Sequence, residues 1–178
     1  VHNTLVGANL REDIAIGAAG KITSAFNIAR TLALGADWCN AARGYMFALG
    51  CIQALNCHTG RCPSGVATQD PRRGNKLDVP LKNERVYNFH KNTLDALQNL
   101  LEASGLEHPS ELGPEHIVRR ASKTEVHSYL DLFPFLEPGA LLEGKTGLTV
   151  FDKYWDEARP DTFEPPEFIL KLRETKLR

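Results

Sequence analysis

Cys51, Cys57 and Cys62 stand in a C-x5-C-x4-C pattern closed by Pro63. Three thiolates in one short loop are a donor set for an iron-sulfur cluster, which needs soft ligands at fixed positions. Gly50, Gly60 and Gly65 lie beside them and let the backbone curl around an inorganic core. Three ligands match a 3Fe-4S cluster. A 4Fe-4S cluster would want a fourth, and the candidate is Cys39, 12 residues before Cys51. Zinc held by the three cysteines and His58 is a second reading, although adjacent Cys57 and His58 are poorly placed to reach one tetrahedral site together. A third reading is metal-free cysteines acting as small buried apolar groups.

Two further stretches have the composition of a phosphate cradle, Gly17-Ala18-Ala19-Gly20-Lys21 and Asn40-Ala41-Ala42-Arg43-Gly44. Small side chains let backbone amides face an anion, and Lys21 and Arg43 add positive charge. The same alanines and glycines would equally permit tight packing of helices on strands. Joined to the cysteine loop, they read as a flavin site next to an iron-sulfur cluster.

These loops need elements to position them. Ile14-Ala15-Ile16 reads as a short buried strand ending at Gly17. Thr23 or Ser24 then caps a helix carrying Phe26, Ile28, Ala29, Leu32 and Ala33, with Gly35 as its stop. Ala36 to Asn40 is a second strand, with Trp38 in the core, and a helix opened by Ala41 to Gly44 runs through Leu49. Strand, loop, helix, strand, loop, helix is one repeat and a half of a β/α barrel or a doubly wound sheet.

Beyond the cysteines the composition changes, because all 10 prolines follow Cys62. Asp70 to Asn75 reads as a surface turn. A long helix is predicted from about Glu84 to Glu102, with Val86, Phe89, Leu94, Leu97, Leu100 and Leu101 on one face and Gly105 after it. Short helical turns are expected at 108–112 and 114–117, and Ser122 to Glu125 has the pattern of a capping box before another short helix. From Phe133 onward prolines and glycines argue against long elements, so the tail is expected to wrap a surface, with Trp155 as its anchor. His90, His108, His116 and His127 read as surface or packing residues.

The segment from Gly50 to Asp70 resembles the cluster loop of the glutamate synthase FMN-binding domain family, and the similarity runs from about His2 through Asp70. Asn88-Phe89-His90 and Gly105 to Pro109 are similar to stand-alone bacterial FMN-binding members. Compared with the large enzymes, Ala19 replaces the first of two glycines, and Ala42-Arg43 replace a Gly-Thr pair. The resemblance implies that Gly20, Lys21, Ala42 and Arg43 hold the FMN phosphate and that Cys51, Cys57 and Cys62 hold a 3Fe-4S cluster. It implies an α/β fold: the last two strands of a (β/α)8 TIM barrel, a cysteine loop, and a mostly helical and irregular C-terminal extension. The implied domains are 1–70 and 71–178.

The activity implied is reductive amination of 2-oxoglutarate to L-glutamate, with nitrogen from glutamine or ammonia and electrons reaching FMN through the cluster. A related flavin oxidoreductase with another substrate, or a non-catalytic Fe-S or zinc scaffold, are the alternatives. A complete barrel of this type needs about 250 residues. The chain starts at Val1, so it reads as a fragment whose catalytic residues lie upstream, inactive alone, with an open apolar edge that the N-terminal part of the barrel would cover.

At 178 residues, 42% hydrophobic and 24% charged, the chain has an ordinary globular composition. A net charge of -1, from 21 basic and 22 acidic residues, supplies no concentrated basic face for nucleic acid. No apolar run approaches the roughly 18 residues of a membrane span. The polar start lacks a secretory pattern, so a cytoplasmic location is expected.

Overall fold

The computed structural model describes residues 1–144 and 146–176, with side chains to 171. In chain order the elements are α1 (His2–Gly7), β1 (Gly17–Ala19), α2 (Ala25–Ala33), β2 (Trp38–Asn40), α3 (Arg43–Ala48), α4 (Pro71–Gly74), α5 (Val79–Ala103), β3 (Val118–Arg120), β4 (Val126–Ser128), α6 (Tyr129–Leu132), α7 (Thr149–Trp155) and α8 (Glu167–Lys176). The fold is mixed α/β with two small sheets, β1-β2 and β3-β4.

Ala15–Leu132 form one compact unit, and Val1–Ile14 with Phe133–Arg178 form another. Within the larger unit α5 lies C-terminal to the cysteine loop yet packs on α2 and α3, which precede it.

In the larger unit β1 and β2 pair in parallel, with Gly17 opposite Trp38, Ala18 opposite Cys39 and Ala19 opposite Asn40. The first strand thus starts at Gly17, three residues later than Ile14. Ser24 caps α2 by accepting from the Asn27 amide at 3.3 Å. The buried face of this helix is Ala25, Ala29 and Ala33, whereas Phe26 is 50% exposed. Small residues win that face because α5 approaches closely: Ala25 and Ala29 pack against Leu97, with Ile28, Leu100 and Leu112 around them. A second cluster joins Ala33, Ile117 and Tyr129.

The long helix begins at Val79, five residues before the predicted Glu84. The Asp78 carboxylate accepts from the Leu81 amide at 3.1 Å, and Pro80 is tolerated in the first turn, where its missing N–H has no helical partner to lose. Of its predicted apolar face, Leu97 and Leu101 are buried and Leu94 is exposed. Gly105 takes a φ of 73°, which ends the helix as expected.

Single 3-10 turns form at Pro109–Glu111 and Pro114–His116. Ser122, expected to cap a helix, instead closes the β3-β4 hairpin. Its hydroxyl accepts from the Thr124 and Glu125 amides at 3.3 and 3.1 Å, and the Ala121 amide donates to the Glu125 carbonyl. The chain then enters β4, antiparallel to β3, rather than a helix. A hydroxyl serving amides two and three residues on fits both a turn and a cap.

In the smaller unit the Gly139 and Leu141 amides donate to the carbonyls of Val6 and Gly7, tying the C-terminal segment onto α1. A Cβ on Gly7 would lie 2.7 Å from Leu141 Cγ and 2.9 Å from Leu136 Cδ1, so only glycine allows that approach. The tail forms more regular structure than its prolines suggested. The 10-residue α8 starts after Pro165-Pro166, and Tyr154 and Phe168 meet at 5.4 Å between ring centres.

Candidate cofactor and cluster site

Parallel pairing in register, Ala19 beside Asn40, carries both predicted phosphate loops to the same end of the β1-β2 pair. Gly20 takes a φ of 126°, and a Cβ built there meets no atom within 4 Å, so its backbone faces open space. Lys21 follows in the left-handed region at φ 55°, an uncommon conformation for a side chain branching from an L-residue. Across from it, Ala42 precedes α3 without a side-chain cap, and Arg43 is the first helical residue. Lys21 and Arg43 are both exposed, and among the described residues neither pairs with a carboxylate. The sheet therefore brings two loops, with two uncompensated cations and an unobstructed glycine, to one end of the strand pair.

Trp38 was expected in the core, yet it is 48% exposed. Its indole covers Gly17 on the neighbouring strand, where a Cβ would stand 2.5 Å from the ring. A two-stranded sheet leaves the far side of that ring uncovered, which is why a strand position did not bury it.

The α3 helix ends at Ala48, and the chain turns at Gly50 with φ 102° into the cysteine loop. Gln53 and Leu55 both adopt left-handed φ values of 56°, and Cys57–Thr59 form a 3-10 turn stopped by Gly60 at φ 70°. This winding brings Cys51, Cys57 and Cys62 to the walls of one small pocket of about 10 Å3, shared with Leu55, Pro63 and Ser64. Cys57 is exposed, Cys51 is half-buried and Cys62 is buried. Cys39 lines a different cavity beside Tyr45 and His90, so the fourth-ligand candidate stands apart from the other three.

Sulfur chemistry in the loop is set by local donors. The Gln53 amide donates to Cys51 Sγ at 3.5 Å, and the Ser64 hydroxyl lies 3.4 Å from Cys62 Sγ. The Ser64 hydroxyl, followed by the Ala67 amide, lowers the Cys62 thiol to about 7 against the opposing effect of desolvation. A substantial thiolate fraction at neutral pH is the ligand-competent form. Cys39 behaves oppositely: burial raises its pKa, only partly offset by the Thr31 hydroxyl.

Among the described residues no three His, Cys, Asp or Glu side chains are grouped to hold a single metal ion. A zinc cage with His58 is therefore not preformed. A cluster makes a different demand, since each iron takes its own thiolate and the sulfurs need only border a common space. Three cysteines around one pocket, two of them already hydrogen-bonded at sulfur, fit that demand.

The loop is latched from outside. Arg73 on α4 donates to the Arg61 carbonyl at 3.3 Å and pairs with Asp70 at 3.4 Å, while Thr68 donates its hydroxyl to the Gly60 carbonyl at 2.5 Å. Sequence reasoning did not single out Ser64, Gln53 or Arg73. A hydroxyl two residues after a ligand is a legible sign for Ser64, but Arg73 acts through a contact that spacing does not announce. His90 is exposed: its ring nitrogen meets the Tyr45 hydroxyl, and Tyr45 stands edge-on to Phe89 at 5.2 Å.

Residues 1–107 match the family described as a conserved region in glutamate synthase. The chain belongs to the glutamate synthase family. It is 47% identical over 120 residues to the glutamate synthase large subunit-like protein YerD of Bacillus subtilis, a match covering 67% of this chain and 23% of that protein. It is 37% identical over 106 residues to the archaeal glutamate synthase [NADPH] of Methanocaldococcus jannaschii, covering 60% of this chain and 21% of that one. To the glutamate synthase [NADH] of Schizosaccharomyces pombe it is 32% identical over 148 residues, 79% of this chain and 7% of the enzyme. The chain thus spans under a quarter of the length of each of these glutamate synthase relatives. The matched region contains both predicted phosphate loops, the cysteine loop and all of the long helix. Among the described residues no helix is long and apolar enough to cross a membrane.

Proposed function

We propose that this chain supplies the flavin-phosphate loops and the iron-sulfur loop of a glutamate synthase that forms L-glutamate from 2-oxoglutarate, with nitrogen from glutamine or ammonia. In this reading β1, α2, β2 and α3 are the last two strand-helix repeats of an eight-stranded barrel, completed by strands outside this chain. The observation that carries it is the single pocket walled by Cys51, Cys57 and Cys62, within one helix of the paired phosphate loops.

The chain's own residues have distinct tasks. Backbone at Gly20 and Ala42 approaches the FMN phosphate, and the Lys21 and Arg43 charges neutralise it; the guanidinium suits a phosphate's geometry through paired donors. Cys51, Cys57 and Cys62 hold a 3Fe-4S cluster as thiolates, with Ser64, Gln53 and Ala67 hydrogen-bonding sulfur so that negative charge there is stabilised. When bound, FMN and the cluster supply hydride and one-electron chemistry; the protein positions them and tunes them. Groups that bind 2-oxoglutarate are assigned to the remainder of the barrel.

Anaerobic reconstitution of the full-length protein with iron and sulfide tests this reading. Broad visible iron-sulfur absorption is expected, and Cys57→Ala is expected to lose it while FMN stays bound. A colourless protein that instead loads zinc contradicts it. Formation of glutamate from 2-oxoglutarate by the same preparation tests the substrate.

A further inference from the structure

Lys82 stands in the first turn of α5, 31 residues after Cys51 in sequence, yet a Cβ built on Gly50 would lie 2.9 Å from its Nζ and 3.7 Å from its Cε. The ammonium group therefore sits against the residue that immediately precedes the first predicted cluster ligand. It is half-buried, and among the described residues it has no carboxylate partner. Of the acids on its own stretch, Asp78 accepts the Leu81 amide and Asp70 pairs with Arg73, while Glu84, two residues on, makes no ion pair with Lys82. Between residues 58 and 85 the chain carries six Lys or Arg and three Asp or Glu. A cation without a carboxylate partner attracts negative charge placed near it. Three thiolates on an iron-sulfur core are such a charge.

We propose that Lys82 sets the reduction potential of the cluster by holding a positive charge beside the Cys51 end of its loop, a tuning role that rests on the cluster reading above. When the cluster accepts one electron from a one-electron reductant, its net charge falls by one. The cation stabilises the more negative, reduced form and so raises the potential. Gly50 is part of the arrangement. Its φ of 102° already favours glycine, and any side chain there would also displace Nζ.

The test is a dithionite titration of the full-length, cluster-loaded protein, followed by the electron paramagnetic resonance of the oxidised cluster. Lys82→Gln is expected to lower the potential so that the oxidised-to-reduced ratio at a fixed poise rises about tenfold, which is about 59 mV for a one-electron couple. Lys82→Glu is expected to move it at least as far in the same direction, and Lys82→Arg to keep the parent potential. Lys91→Gln is the control on the same helix, because Lys91 is exposed and paired with Asp95 at 2.5 Å; it is expected to leave the potential unchanged. Gln, Glu and Arg variants that all share the parent potential overturn the proposal, as does a Lys91→Gln shift equal to that of Lys82→Gln. An unsubstituted protein that never develops the cluster signal overturns the cluster reading itself, an outcome distinct from an intact cluster with an unmoved potential.

Discussion

Gly65 and Gly60 flank Cys62, and comparing their alanine variants separates two costs. Both glycines are left-handed, at φ 77° and 70°, so alanine at either pays about 1–2 kcal/mol for that conformation. They differ in surroundings. A Cβ at Gly60 meets nothing within 4 Å, whereas one at Gly65 collides with the Arg73 carbonyl oxygen and lies 3.3 Å from its carbon and 3.6 Å from Leu77 Cγ. That oxygen is backbone, so relief requires shifting α4 rather than turning a side chain, and overpacking of this kind costs about 1–3 kcal/mol. Gly65→Ala is thus expected to destabilise by about 2–5 kcal/mol and Gly60→Ala by about 1–2 kcal/mol. The loss of unfolded-chain freedom is the same for both and cancels in the comparison. Equilibrium urea unfolding of each variant supplies the difference, and hydrogen exchange over residues 60–77 shows whether it is local to the loop. Equal destabilisation of the two, within about 0.5 kcal/mol, would refute the close packing of the cysteine loop on α4.

Leu97 is 7% exposed and central to the α2-α5 contact, so Leu97→Ala is expected to cost about 2–5 kcal/mol. Urea unfolding followed by Trp38 fluorescence reads it, and a loss below about 1 kcal/mol would mean the site collapses freely or the contact is absent. Asp131 accepts from the Ser128 hydroxyl at 2.7 Å and from its amide at 3.0 Å, which hold its carboxyl below the ordinary aspartate value. A depressed folded-state pKa contributes stability above the unfolded value and loses it as pH falls through the folded one. Asp131→Asn is therefore expected to flatten the acid limb of the stability-pH curve, and parallel curves for parent and variant would contradict the hydrogen bonds.

Some of this architecture was legible from residues alone because it is local. The Ser24 cap, the glycine stop at Gly105 and the turns at Pro109 and Pro114 depend on atoms within a few positions, and residue type reports those interactions directly. Errors arose where a local pattern has two solutions. Ser122 serves a hairpin as readily as a helix, and partner strand β3 decides which forms. The first strand fell on Gly17 to Ala19 because its register is set by β2, not by the apolar run before it. Phe26 and Trp38 are hydrophobic by type, but their exposure depends on what lies opposite them.

The sequence by itself determined the inventory of the site: three cysteines at cluster spacing, two small-residue loops with a cation each, and the order in which they occur. Spacing and side-chain chemistry are properties of the covalent chain, so no fold was needed to read them. Only the tertiary structure decided that the two loops share one end of the strand pair, that Cys39 stands apart from the other sulfurs, and that Lys82 reaches back to Gly50. Parallel strand pairing and the docking of α5 on earlier helices create those proximities, and contacts between distant residues follow from the packing of whole elements rather than from any short run of residues.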